Sequence, residues 1–118
     1  MLTGTLHDAD DDRILVRRVR RTTHAWERLR GLLGAAPLEA DAGLWIVPCN
    51  SVHTAFMGEA IDVVFIDRRL CVARVVPALR PWRMAGTLRA HSTLELPAGR
   101  AAAAGLAVGR RLRWEPEV

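Results

Sequence analysis

Cys49 and His53 stand four residues apart, a spacing at which a thiol and an imidazole base can form a nucleophilic pair. Such a pair needs a third group to orient the imidazole, and Asn50, Asp62 and Glu95 can serve only if folding brings one alongside. Cys49 and His53 are therefore the catalytic candidates of a Cys/His-dependent hydrolase. With Cys71 and His91 they are also zinc ligands in kind. No CxxC or HxxxH pair at structural-zinc spacing accompanies them, so neither a metal nor a cofactor is expected.

Two carboxylates sit between apolar neighbours: Asp62 between Ile61 and Val63, and Glu95 between Leu94 and Leu96. Strand alternation can turn either one inward or outward. An inward carboxylate must find Arg or backbone partners, because an unpaired buried charge costs several kcal/mol or is neutralised. Nothing in the spacing fixes their separation, which a general acid and base would require. Trp82 and Arg83 share a proline-rich stretch and could form a stacking and anion-binding lip.

The ligand-binding candidates are Asn50, His53, Thr54, Asp62 and Arg83, grouped as one polar cleft. The grouping rests on a hairpin: the strand holding His53 and the strand holding Asp62 follow each other across Gly58-Glu59-Ala60, which favours antiparallel neighbours. Pairing centred on Glu59 sets Phe56 against Asp62 and leaves His53 near Phe65, roughly 10 Å along the ladder at ~3.4 Å per residue. That predicts a shared cleft instead of a direct contact.

The elements that must position these residues follow from the apolar pattern. Ile14, Leu15, Val16 and Val19 among arginines read as a strand with one exposed edge or face. Thr22 or Thr23 can cap a helix with Trp26, Leu29, Leu32 and Leu33 at helical spacing, stopped by Gly34. Leu44-Trp45-Ile46-Val47 reads as a buried strand ended by Pro48, and Val52–Met57 as an alternating one. Ile61–Ile66 follows, then Asp67-Arg68-Arg69 as a turn into Leu70–Val76. Residues 77–86 read as a long loop, Ala90–Leu96 as a strand, Arg100–Ala104 as a short helix closed by Gly105, and Arg111–Trp114 as a last strand. Trp45, Ile46, Val64, Phe65 and Val75 are expected to share one core.

Many short strands and two short helices give an α+β, β-rich class: a compact barrel- or sandwich-like antiparallel or mixed sheet. With 118 residues, half of them hydrophobic and a quarter charged, one globular domain over 1–118 is expected. Residues 1–12 are expected to be a peripheral acidic N-terminal segment. That polar start is unlike a signal peptide, and no apolar run approaches the ~18 residues that span a bilayer. Two cysteines without an export signal point to the reducing cytoplasm and to free thiols.

All 17 basic residues are Arg, against 13 acids, which leaves a net charge of +4. Seven of them fall between Arg13 and Arg30, and others from Arg68 to Arg89 and at Arg110, Arg111 and Arg113. Phosphate contacts through these arginines are one reading of the charge. Tyr is absent and only two Phe occur, so stacking platforms for single strands would rest on Trp82 and Trp114.

Arg28-Leu29-Arg30-Gly31-Leu32-Leu33, Gly43-Leu44-Trp45-Ile46, Ile61-Asp62-Val63-Val64-Phe65-Ile66-Asp67 and Leu94-Glu95-Leu96-Pro97-Ala98-Gly99 recur in an order that resembles the domain of unknown function (DUF) family 192. Pro48-Cys49-Asn50-Ser51-Val52-His53-Thr54 and Arg80-Pro81-Trp82-Arg83 resemble one subgroup of it. The likeness covers about Ile14 to Leu112 and implies a compact barrel-like fold but no mechanism. One departure stands out: after the aromatic-Met pair Phe56-Met57, where the family usually carries Lys or Arg, this chain has Gly58-Glu59-Ala60. The leading expectation is a non-enzymatic binding or accessory module whose cleft holds a small ligand or a protein segment. The Cys/His hydrolase and weak nucleic-acid binding through arginines are the alternatives, and no membrane partner is expected.

Overall fold

The computed structural model describes residues 1–22, 39–55 and 57–118. The expected helix around Trp26 to Leu33, and Phe56, lie outside them. The described strands are β1 (Leu2–Asp8), β2 (Ile14–Arg21), β3 (Ala42–Ile46), β4 (Ser51–His53), β5 (Ile61–Ile66), β6 (Val72–Leu79), β7 (Met84–Gly86), β8 (Ser92–Pro97) and β9 (Leu112–Pro116). The helix α1 (Arg100–Ala104) precedes β9.

Seven strands form one mixed sheet in the order β6-β5-β8-β3-β2-β1-β9, and β4 and β7 form a separate ribbon. Within that sheet β2 and β3 run parallel, which requires the long crossover between them, while the remaining pairs are antiparallel. Every residue of β5 is buried, as the unbroken apolar run Val63-Val64-Phe65-Ile66 demands of a strand covered on both faces.

The barrel expectation is corrected. The sheet curls until its two edges meet at one bridge, Cys71 to Arg111, but does not close. Around that seam Val72 N–H donates to Arg110 O (2.9 Å), Leu112 N–H to Leu70 O (2.8 Å) and Gly109 N–H to Val72 O (2.8 Å). Beyond it the ladder stops. Nor is there a two-sheet sandwich among the described residues, since the second layer is only the short ribbon.

The single expected core is also corrected to two, one on each face of the sheet. Alternation along β5 sends Val64 and Ile66 to an inner core with Leu6, Val19, Trp45, Leu94, Leu96 and Leu106. It sends Ile61, Val63 and Phe65 to an outer core, where Val52 of β4 packs on them. Trp45 anchors the inner side: its ring meets Trp114 edge to face at 5.3 Å, and Nε1 donates to Ser92 Oγ at 2.9 Å.

Within the stretch 1–12 expected to be peripheral, Leu2–Asp8 is a strand of the sheet, and the turn that follows it is largely exposed. Leu6 is fully buried in β1, which lies between β2 and β9. The acidic run is the tight connection from β1 to β2: Asp8 Oδ1 accepts the Asp10 amide at 2.7 Å, and Asp12 takes a left-handed φ of 60°. Asp8 is itself buried and ion-paired with Arg110. These contacts hold its carboxyl below the usual range, through the Asp10 amide first and the Arg110 guanidinium after it.

The Asp67 turn and α1 match expectation. Asp67 Oδ1 accepts the amides of Arg69 (2.8 Å) and Cys71 (2.9 Å), and Gly105 closes α1 at φ 74°. The stretch 77–86 is shorter as a loop than expected, because β6 runs to Leu79 and β7 begins at Met84. Pro77 is tolerated because it falls where the β5–β6 register shifts, between the Ile61–Leu79 and Val63–Val76 pairs.

Candidate functional site

The ribbon lies across the outer face of the sheet. Val52 and its partner Ala85 pack into the outer core, so the flanking pairs His53–Met84 and Ser51–Gly86 project the other way. One end is tied to the sheet at Cys49, whose amide donates to His91 O (2.9 Å) and whose carbonyl accepts Thr93 Oγ1 (3.0 Å). The other end is tied by Thr54.

Thr54 is fully buried and organises the turn at 80–83. Its hydroxyl donates to Arg80 O (2.6 Å) and accepts the Arg83 amide (2.9 Å). Its backbone N–H donates to Arg83 O (2.9 Å), while its carbonyl accepts the Trp82 amide (3.1 Å). These bonds fix Trp82 at a left-handed φ of 62° and hold up an arm, residues 80–89, which carries Trp82 at 62%, Met84 at 78% and Leu88 at 96% exposure.

Charge on this arm is of one sign. Arg68, Arg69, Arg74, Arg80, Arg83 and Arg89 follow one another with no Asp or Glu between them. Among the described residues, no ion pair is found for Arg80, Arg83 or Arg89. Three arginines elsewhere are matched with acids: Arg113 with Asp12 (2.9 Å) and Glu115 (3.0 Å), Arg110 with Asp8, and Arg18 with Glu39 and with Asp41 (Nε to Oδ1, 3.1 Å). Arg74 spends one donor on Gly86 O at 2.7 Å, which steadies the ribbon against β6.

The five grouped residues do not converge. Asn50 is exposed, and its carbonyl accepts the Thr87 amide at 3.0 Å. Arg83 is exposed beside Trp82, whose carbonyl its Nη1 reaches at 3.3 Å. His53 is half-buried on the ribbon, with Nδ1 enclosed and without a hydrogen-bond partner. These three belong to the ribbon and arm, with Thr54 beneath them.

Asp62 is elsewhere. It faces inward between Ile61 and Val63, on the side of the sheet away from the ribbon, and it is 1% exposed. Its Oδ1 accepts the amide of Ala78 and its Oδ2 that of Ala101, both at 2.9 Å, so it clamps the irregular part of β6 to the start of α1. The expected hairpin that would have joined it to His53 does not form, because β6 and β8 already occupy both edges of β5 and β4 pairs with β7.

The Cys49 thiol donates to Ser51 O at 3.1 Å. Cys49 and Cys71 are both free. Among the described residues, no cluster of three or more His, Cys, Asp or Glu is arranged to hold a metal ion. No helix among them is long and apolar enough to cross a membrane.

Glu95 is the buried group that spacing alone did not place. It points to the outer face, in register with Leu44 on β3 and Val63 on β5, and is 3% exposed. Desolvation pushes its carboxyl up to about 7. The alternation Leu94-Glu95-Leu96 carries the signal, but only the structure says which face is which.

The family model DUF192, described as an uncharacterized ACR, matches residues 6–114. A UPF0127 protein of Pyrococcus furiosus is 42% identical over 65 residues, which are 54% of this chain and 55% of that protein. The match thus spans about half of each. Among solved structures, a Sinorhizobium meliloti protein provisionally named a transcription regulator superimposes with TM-score 0.77 at 18% identity, over 96% of this chain and 92% of that one. A Novosphingobium aromaticivorans protein of unknown function gives TM-score 0.73 at 18% identity, over 95% and 84%. At that identity the likeness is one of fold.

Proposed function

The chain belongs to the uncharacterised DUF192 family, and we propose that within it this protein is a non-enzymatic binding module whose arm and ribbon grip an acidic segment of another protein. One observation carries the reading: Trp82, Met84 and Leu88 stand exposed among Arg80, Arg83 and Arg89 on an arm that Thr54 holds rigid. Trp, Met and Arg are the side chains that interfaces concentrate, and a lone-sign charge field selects partners of the opposite sign. Because the arm is already ordered, binding loses little further conformational entropy there. Asn50 and His53 border the same surface. A cytoplasmic setting fits the free thiols.

A peptide rich in Glu and Leu, labelled with a fluorophore, tests this by anisotropy against an equally charged single-stranded oligonucleotide. The peptide is expected to bind with an affinity that falls as salt rises, and Arg83→Glu to weaken it roughly tenfold, worth ~1.4 kcal/mol. Tighter binding of the oligonucleotide would replace this reading with nucleic-acid recognition. No binding of either would overturn both.

A further inference from the structure

Resting on that reading, we infer that the acidic segment is held as an added strand along the outer edge of β7. The ladder's own parity shows which main-chain groups face that edge. Thr54 N–H donates to Arg83 O and Thr87 N–H to Asn50 O, so the hydrogen-bonded pairs of the ribbon are 50–87, 52–85 and 54–83. The intervening pairs, Ser51–Gly86 and His53–Met84, turn their N–H and C=O groups away from each other. On β7 these are the groups of Met84 and Gly86.

Among the described strands, β7 pairs with β4 alone. Gly86 C=O is taken by Arg74, which leaves the N–H and C=O of Met84 and the N–H of Gly86 to meet an incoming strand. The opposite edge of the ribbon is less open: Ser51 C=O accepts the Cys49 thiol, and His53 is half-buried. Met84, by contrast, is 78% exposed. An extended chain on this edge gains main-chain bonds at alternate residues, and its side chains fall alternately over Met84 and toward the outer core.

The charge decides the occupant. A second copy of this chain would bring Arg83 and Arg89 against their own kind, which is how proteins keep edge strands from pairing with themselves. A segment carrying Glu or Asp at alternate positions meets those same arginines favourably. Arg74, already bonded to Gly86, places one more cation at the end of the edge.

A peptide that alternates Glu with Val and Thr, N-methylated at one amide at a time, provides the test. Strand addition predicts a loss of roughly tenfold or more at the amide that donates to Met84 C=O and little effect at the amides on either side of it, because only alternate amides donate across a ladder. The Met84→Ala chain keeps the main chain and is expected to keep that alternation. An unmethylated peptide that binds while methylation has uniform effects would overturn strand addition and leave the acidic-partner reading in place. Failure of the unmethylated peptide to bind would overturn the acidic-partner reading itself. Self-association of the chain through this edge, seen by sedimentation and abolished by Met84→Pro, would assign the edge to a second copy instead.

Discussion

Asp62 and Glu95 are diagonal neighbours in one ladder, since Asp62 pairs with Leu96 and Val63 with Glu95, yet they lie on opposite faces. On the inner face, Asp62 borders two places where the backbone leaves regular structure: the shifted register of β6 at Ala78 and the first turn of α1 at Ala101. Both have amides to give. On the outer face, Glu95 is flanked by regular stretches of β3 and β5, whose amides are spent in the sheet. A buried carboxylate is at rest only where irregular backbone supplies donors. Otherwise it keeps its proton, and burial accordingly lifts Glu95 to about 7.

The largest test of that contrast is Glu95→Gln. Because the folded carboxyl titrates near 7 against 4.5 unfolded, the folded state holds the extra proton between those values. Stability therefore falls as pH rises from about 4.5 to 7 and is level above. The Gln chain is expected to lack this slope and to gain about 3 kcal/mol above neutrality, with no gain near pH 4.5. Urea denaturation across that range reads it, and equal slopes in the two chains would break the comparison.

Asp62→Asn is expected to act in the opposite direction. One acceptor oxygen becomes a donor facing a backbone N–H, which costs about 2 kcal/mol at neutral pH. Denaturation midpoints measured on the same day would sharpen the contrast, because the two carboxyl-to-amide changes should move them apart. A harmless Asp62→Asn would mean that the two amides find water.

Thr54→Ala should have the smallest effect on stability, about 1 kcal/mol for the lost hydroxyl bonds, with Thr54→Ser restoring most of it. Amide exchange at residues 80–83 is the sharper readout, since the loss concerns the outer arm and not the inner core. Protection that survives the Ala change would show that the turn holds itself.

Some of this was legible beforehand. The strands β2, β3, β5, β8 and β9 and the helix α1 follow from apolar runs bounded by Pro and Gly, and the family follows from the ordered motifs. What the residues alone could not show was face. A strand buried on both sides, such as Ile61–Ile66, has no polar alternation to orient it, so one core and two cores read alike. Asp62 and Glu95 carry the same apolar-acid-apolar signature and meet opposite fates for that reason. β1 hid behind its acidic turn, and β7 behind the prolines that precede it. The link Gly58-Glu59-Ala60 looked like a hairpin because local rules cannot know that both edges of β5 are filled, one by the following strand β6 and the other by β8, which is distant in sequence.

The seam at Cys71 and Arg111, together with the pairing of β1 with β9, also sets an order in time. β1 and β9 stand at opposite ends of the chain, and loop closure over such a span carries its entropic cost before any contact rewards it. During synthesis β1 emerges first and can fold only onto β2, while its other edge waits for the last strand to appear. The β1–β9 pairing and the seam therefore form late, and the protein should fold slowly for its size. Until then the growing chain exposes the hydrogen-bonding edge of its first strand.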